Sequence, residues 1–158
     1  MNIFYLDNNV NTCAQYHCDK HVVKMILEYA QLLSTAHRVL DKDDVPSVLY
    51  KATHINHPSA KWARHSTENY RWLYDLFMAT CKEYTFRYNK RHKSELLLSS
   101  HLADVPKNIP DGSFCPPWRA MPDEFKVDDT VQSYRNYYRS AKKDFAYWTK
   151  RSVPFFME

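Results

Sequence analysis

The sequence predicts an all-helical fold, and three observations support this prediction. Glycine occurs once among 158 residues, at Gly112, whereas sheet proteins with many tight turns need several glycines for positive-φ positions. Hydrophobic residues make up 44% of the chain and aromatic residues 15%, which is enough apolar mass for a packed core. Long stretches carry apolar residues at helical spacing. We therefore expect residues 1–158 to form one compact helical domain.

The first predicted elements are a short extended segment and a long helix. The apolar run at residues 3–6 favours an extended segment that anchors the amino terminus against the core. A helix is then expected from about residue 12 to residue 40, because this stretch lacks proline and glycine and contains strong helix formers. Charged residues and Pro46 within the segment 41–46 end this helix.

Further helices are predicted downstream. Residues 47–57 form an irregular connection, after which Pro58 suits a first helical position. Helices then continue to about Asn89, with an interruption expected near Ser66, and their apolar side chains form a buried stripe: Tyr70, Leu73, Phe77, Cys81, Tyr84 and Tyr88. A shorter helix over about 94–102 precedes a long proline-rich loop, and the last helix is expected from about 130 to 149.

Charge and cysteine content restrict the class of protein. The net charge of +4 allows an anionic partner without requiring one. Two basic clusters, at residues 82–93 and 130–151, contain tyrosines and suit a phosphate backbone, although solvated helix faces are the simpler explanation of either cluster alone. The four cysteines form no CxxC pair, and the sequence shows neither a signal peptide nor an apolar stretch of bilayer length. We therefore expect a soluble cytoplasmic protein, in the host cytoplasm if it is viral. Neither a membrane, a cofactor nor an obligate protein partner is expected.

The predicted long helix carries a polar face. At 100° per residue, four side chains fall within about 60° of one another around the helix axis: His17, His21, Lys24 and Glu28. Gln31 extends this polar face by one more turn. Apolar residues cover most of the remaining circumference, which is too wide for an ordinary surface helix, so the face is expected to line a cleft or a polar core network. Imidazole, carboxylate and amine groups together supply a base, an acid and a cation, as active sites require.

Two other interpretations of this face stay open. The first is a solvated face on which Lys24 and Glu28 form a helical ion pair worth about 0.3 kcal/mol. The second is a metal site, because His17 and His21 have the i,i+4 spacing of two helical ligands, with a third ligand from His54, His57 or His65. The chain lacks the glutamate that zinc proteases place directly after the first histidine, so no bound metal is expected.

Four short motifs follow one another along the chain. The first motif is Asp19-Lys20-His21, with Glu28 seven residues after His21, and the second is Asn56-His57, which opens the next helical region. The third is the Pro-x-Glu-Phe-basic pattern within residues 121–126, and the fourth is the aromatic and basic segment 148–151. This order resembles the phage and viral pyrimidine-dimer DNA glycosylase/AP lyases of the endonuclease V type. In the first active-site helix of that family, a histidine and the catalytic glutamate have the same separation as His21 and Glu28.

The resemblance implies an all-helical fold and a reaction in which an amino-terminal amine attacks the sugar C1′. A Schiff base forms, the damaged base leaves and β-elimination cuts the strand, while the glutamate stabilises charge and moves protons. The family has a threonine after a removed methionine, and arginines one residue before and three after its glutamate. Here those positions hold Asn2, Leu27 and Gln31. The nucleophile implied for this chain is the amine of Met1 or of Lys24.

These arguments predict a glycosylase/AP lyase-like enzyme that acts on a nucleic acid, most simply DNA. Glu28 is the expected catalytic carboxylate, His21 orients the substrate or moves a proton, and Lys24 contacts phosphate or serves as the amine. Eight residues are expected to bind the nucleic acid or nucleotide: His17, Gln31, His57, Trp62, Arg64, Lys126, Lys150 and Arg151. The alternative is a non-catalytic protein that binds a nucleotide or nucleotide signal in the same cleft. A metal-dependent hydrolase using His17 and His21 is a third hypothesis.

Overall fold

The computed structural model describes residues 2–158, and none of these residues forms a strand. The all-helical prediction is confirmed. Six α-helices follow one another along the described chain: α1 (Val10–Tyr16), α2 (Asp19–Asp41), α3 (Pro58–Ala63), α4 (Thr67–Tyr88), α5 (Lys93–Leu102) and α6 (Thr130–Ala141). Short 3-10 turns lie at Asp123–Phe125, Lys143–Phe145 and Phe155–Met157.

The single helix predicted over residues 12–40 is wrong near its amino-terminal end. The chain leaves the helical conformation at His17 and Cys18, whose ψ angles are 130° and 162°, and α2 starts only at Asp19. The backbone N–H of Cys18 donates to the Tyr138 hydroxyl at 2.9 Å, so a side chain from α6 takes the place of a helical acceptor. His17 therefore precedes α2 and does not share its polar face.

The core forms around α2 and α4, which pack against each other, while α3 and α5 pack against α2 and α1 packs against α4. The extended segment at residues 3–6 is confirmed, and all four of its side chains are buried. The predicted stripe on α4 is also buried as far as Tyr84, whereas Tyr88 is half-buried. These contacts fix the amino-terminal segment beside the first turns of α2.

The downstream helices follow the predicted order. Ser66 caps α4, because its hydroxyl accepts from the Asn69 N–H at 3.2 Å, which confirms the expected interruption. The last helix is shorter than predicted and ends at Ala141. The chain then turns back, so that the Trp148 indole N–H donates to the Tyr16 carbonyl at 2.9 Å and fixes the tail against α1.

The proline-rich loop between α5 and α6 contains one 3-10 turn and is otherwise irregular, as its prolines predict. Within residues 2–158, no helix combines the length and the apolar character that a bilayer span requires.

Candidate functional site

A small pocket opens beside the first half of α2. Its volume is about 160 Å³, and it is lined by side chains from the amino-terminal segment, α2, α6 and the residue that follows α6: Asn2, Phe4, His21, Lys24, Met25, Glu28, Tyr137 and Lys142. We call it the Glu28 pocket. Three of the four residues predicted to share a polar face, His21, Lys24 and Glu28, lie together in it, because positions i, i+3 and i+7 share one side of a helix.

Glu28 is the carboxylate of this pocket. Its side chain is 12% exposed, and its Oε2 atom lies 3.8 Å from Nζ of Lys24, whose side chain is 62% exposed. A second ammonium group, that of Lys142, lies 4.9 Å from the centroid of the Tyr137 ring. The pocket thus combines a largely buried carboxylate, two cations and aromatic walls, a set that suits a ligand with both anionic and apolar parts.

His21 is held rigidly at the base of the pocket. Its ring stacks on Phe4 with a centroid separation of 4.3 Å, and its Nδ1 lies 2.7 Å from the Tyr138 hydroxyl, which also contacts the Cys18 thiol at 3.2 Å. Burial, together with nearby positive groups such as Lys142, lowers the pKa of His21 to about 3. The imidazole is therefore neutral at neutral pH and is suited to orienting a ligand by hydrogen bonding.

His17 lies outside the pocket and is fully buried. Both of its ring nitrogens are engaged, Nδ1 with the Cys13 carbonyl and Nε2 with the Tyr29 hydroxyl, each at 2.7 Å. Burial lowers the pKa of His17 to about 4. The helical pair of ligands that the alternative metal-site interpretation requires from His17 and His21 does not form, because the helix is broken between them. Across residues 2–158, no group of three or more histidine, cysteine or acidic side chains is arranged to hold a metal ion.

Several predicted binding residues lie away from the Glu28 pocket. The His57 side chain caps α3, since its Nδ1 accepts from the Ser59 N–H at 3.0 Å. Trp62 belongs to the core instead of a surface groove, because it is fully buried and its indole N–H donates to the Cys115 carbonyl. Gln31 is half-buried on α2, one turn after Glu28.

Arg64 is a predicted binding residue whose guanidinium group keeps a hydrogen-bond donor for a ligand. It is half-buried at the end of α3, and its Nη1 atom is buried without a hydrogen-bond partner among residues 2–158. Burial lowers the pKa of Arg64 from its ordinary value. A guanidinium group of this kind is suited to an oxyanion, although Arg64 does not line the Glu28 pocket.

The predicted carboxyl-terminal cations make contacts within the protein. Lys126 pairs with Asp123 at 2.9 Å, and Nζ of Lys150 donates to the Phe86 carbonyl at 3.0 Å. Arg151 donates to both carboxylate oxygens of Glu83, at 2.9 and 3.0 Å. Glu83 also accepts from Arg87 at 2.7 Å, and Arg87 in turn reaches Asp19 at 3.0 Å. We call these four residues, Asp19, Glu83, Arg87 and Arg151, the ion cluster.

Met1, predicted as a nucleophile, lies outside the described residues. Sequence reasoning missed five pocket residues: Asn2, Phe4, Met25, Tyr137 and Lys142. A local signal exists for Lys142, because it follows Tyr134 and Tyr138 at i,i+4 spacing. This spacing predicts that Lys142 lies on the same side of the last helix as these two buried tyrosines. Phe4 gives no such local signal, because its contact with His21 depends on how the amino-terminal segment packs.

A protein-family model described as pyrimidine dimer DNA glycosylase matches residues 1–96. The matched range includes the whole of α2 and the pocket residues His21, Lys24 and Glu28, whereas Tyr137 and Lys142 lie beyond it. Searches of curated proteins and of solved structures gave no significant match.

Proposed function

This chain belongs to the pyrimidine dimer DNA glycosylase family, and from that membership we propose that it cleaves an N-glycosidic bond in DNA at the Glu28 pocket. The placement of Glu28 carries the proposal. A carboxylate with only 12% of its side chain exposed borders a pocket that also contains Lys24 and Lys142. In such a place a carboxylate can stabilise positive charge on a sugar more strongly than it can in bulk water.

The reaction we propose begins when an amine attacks C1′ of the sugar. A bond forms between the amine nitrogen and C1′, while the bond from C1′ to the base breaks. The base leaves with that electron pair and takes up a proton. The nitrogen then loses a proton and its lone pair forms the C=N bond, while the C1′–O4′ bond breaks and O4′ takes up a proton, so that the sugar ring opens and an imine results. The amine belongs to Met1 or Lys24, and an α-amine is deprotonated far more often at neutral pH than an ordinary lysine amine.

Glu28 has two tasks in this scheme. As a carboxylate it stabilises the positive charge that develops on the sugar, and as a base it accepts protons during imine formation. Removal of a C2′ proton from the imine then expels the 3′ phosphate and cuts the strand by β-elimination. His21, neutral through burial, orients the sugar or phosphate, and the ammonium groups of Lys24 and Lys142 attract the strand.

The size of the pocket favours DNA over a free nucleotide. Sites that enclose a small molecule usually have volumes of about 300–1,000 Å³. The Glu28 pocket has about 160 Å³, which admits one part of a substrate while the remainder lies on the surface. A strand of DNA from which a single nucleotide turns inward fits this description.

The test is borohydride trapping, because borohydride reduces an imine to a stable covalent link. The purified protein is incubated with a duplex containing an abasic site, with an ultraviolet-damaged duplex and with an undamaged duplex. We expect a borohydride-dependent adduct on the abasic duplex and none on the undamaged one. Absence of both adduct formation and base release from the damaged duplexes would overturn the proposal, and tight binding of a free nucleotide would then support the alternative.

Two variants identify the amine. Lys24→Gln removes one of the two lysines of the pocket, and the matched control Lys20→Gln removes an exposed lysine one turn earlier that does not line the pocket. Trapping that persists in Lys24→Gln and in Lys142→Gln, which removes the other lysine of the pocket, assigns the Met1 amine. Trapping that is lost in Lys24→Gln but retained in Lys20→Gln assigns Lys24.

A further inference from the structure

A second cavity lies on the proline-rich loop, outside the matched range of the family model. Its volume is about 330 Å³, and six residues line it: Pro116, Pro117, Trp118, Arg119, Lys126 and Thr130. We call it the Trp118 site. None of these residues lines the Glu28 pocket.

We propose that the Trp118 site binds an unpaired nucleobase of the DNA, stacked on the indole of Trp118, with the adjoining phosphate held by Arg119 or Lys126. This inference goes beyond glycosidic chemistry and rests on the proposed function only in taking DNA as the ligand.

The exposure of Trp118 sets it apart from the other tryptophans. Trp62 is fully buried, Trp148 is 8% exposed and Trp72 is half-buried, whereas Trp118 is 39% exposed. The His65 ring contacts the Trp118 indole in a T-shaped arrangement at 5.4 Å. A supported aromatic surface of this kind suits base stacking, which depends little on sequence because every base has a π face.

The backbone that carries Trp118 is fixed before any ligand arrives. The hydroxyl of buried Tyr134 donates to the Trp118 carbonyl at 3.0 Å and accepts from the Ala120 N–H at 3.3 Å. Pro116 and Pro117 restrict the chain immediately before it. Binding therefore does not have to order this part of the loop, which favours affinity.

The charge around the site complements a phosphate. Arg119 is exposed, and its guanidinium donates to the Val127 carbonyl, a neutral acceptor that leaves its charge uncancelled. Lys126 pairs with Asp123, but the Asp123 side chain is 95% exposed, so water and salt weaken the pair. Both cations can therefore turn toward a phosphate at little cost.

The Trp118 site and the Glu28 pocket are connected along α6. Phe125, next to Lys126, packs on Tyr137 with a centroid separation of 5.4 Å, and Tyr137 lines the Glu28 pocket. Thr130 and Tyr137 are seven residues apart on one helix, which corresponds to about 10 Å. At about 3.4 Å per nucleotide along one strand of a duplex, this distance spans about three nucleotides. One strand can therefore reach both places.

The test measures binding to undamaged oligothymidylate and to a blunt duplex of the same length, so that no turnover is involved. Stacking on an indole quenches its fluorescence, and Trp118 is the most exposed tryptophan among residues 2–158. We expect Trp118→Ala to weaken binding of oligothymidylate about 5- to 150-fold with little effect on the blunt duplex. Trp118→Phe should retain most of the affinity but lose the quenching.

The control is Leu96→Ala, which removes an even more accessible apolar side chain on α5, 60% exposed. It should bind like the wild type. Unchanged binding by Trp118→Ala, or unchanged quenching in Trp118→Phe, would overturn the proposal. Should Trp118→Ala fail to fold, Trp118→Phe provides the test by itself. If the wild type fails to trap while the Trp118 effect persists, the proposed chemistry alone is wrong.

Discussion

Two glutamates on the central helices, Glu28 on α2 and Glu83 on α4, have opposite surroundings. Glu83 is 4% exposed and accepts three hydrogen bonds from Arg87 and Arg151. Glu28 borders a pocket, and its Oε2 lies 3.8 Å from Lys24, an exposed lysine beyond hydrogen-bond distance. The hydrogen bonds of Glu83 hold elements of the fold together, whereas Glu28 lies at a pocket that a ligand can enter.

The partners of Glu83 also set its protonation. Burial raises the pKa of Glu83, but hydrogen bonds from Arg151 and Arg87 outweigh burial and hold its pKa below the ordinary value. Glu83 thus stays ionised and joins α4 to the carboxyl-terminal tail through Arg151, while Arg87 extends the ion cluster to Asp19 at the start of α2. We infer that the ion cluster supports the structure and that the Glu28 pocket carries the chemistry.

The largest effect we expect is from Glu28→Gln. Glutamine keeps the shape of the side chain but can neither carry charge nor exchange a proton, so base release and strand cutting should slow by roughly 10²- to 10⁴-fold. Activity is measured on an abasic and an ultraviolet-damaged duplex, and stability by thermal melting. We expect a melting temperature close to that of the wild type. Full activity would disprove the assignment, and a much earlier melt would make Glu28 structural.

The matched variant Glu83→Gln should have the reverse outcome. Removing one partner of a buried ion pair leaves the buried guanidinium of Arg87 with Asp19 and the Gln15 carbonyl, and such losses cost about 3 kcal/mol. The free energy of unfolding, measured with urea, should fall by that order while activity per folded molecule stays near wild type. A stable Glu83→Gln that loses activity would show that the ion cluster belongs to the catalytic machinery.

Local sequence patterns could predict part of this comparison. The spacing of His21, Lys24 and Glu28 placed them correctly on one side of α2, because the periodicity of a helix is a local property. The same argument misplaced His17, because the helix break depends on the Tyr138 hydroxyl, 120 residues from Cys18. The family motifs in the first part of the chain were more informative than helix geometry alone, and the family match confirms the relationship that they indicated.

The carboxyl-terminal tail shows why the contacts of individual basic side chains could not be predicted from the sequence. The basic residues at its end predict a DNA contact that includes Arg151. The structure places Arg151 against Glu83, 68 residues away in sequence, and nothing near Arg151 in the sequence indicates that partner. Lys142, in the same basic cluster, instead contacts the rings of Phe4, Tyr137 and Phe145 and lines the pocket. Composition locates a basic segment but does not tell which of its cations face a ligand.

The smallest effect we expect separates these two cations by the salt dependence of DNA binding. Each phosphate that a protein cation neutralises releases counterions, so log K falls with log salt concentration by about 0.9 per contact. Lys142→Gln should weaken binding of an undamaged duplex and make this slope less negative by about that amount, because Lys142 lies at the pocket and contacts aromatic rings. Arg151→Gln should leave the slope unchanged and lower the melting temperature, since Arg151 is bound to Glu83. The slopes are measured by titrating both variants and the wild type at several salt concentrations. A changed slope in Arg151→Gln together with an unchanged slope in Lys142→Gln would move the DNA contact to the carboxyl-terminal tail, where the sequence alone had placed it.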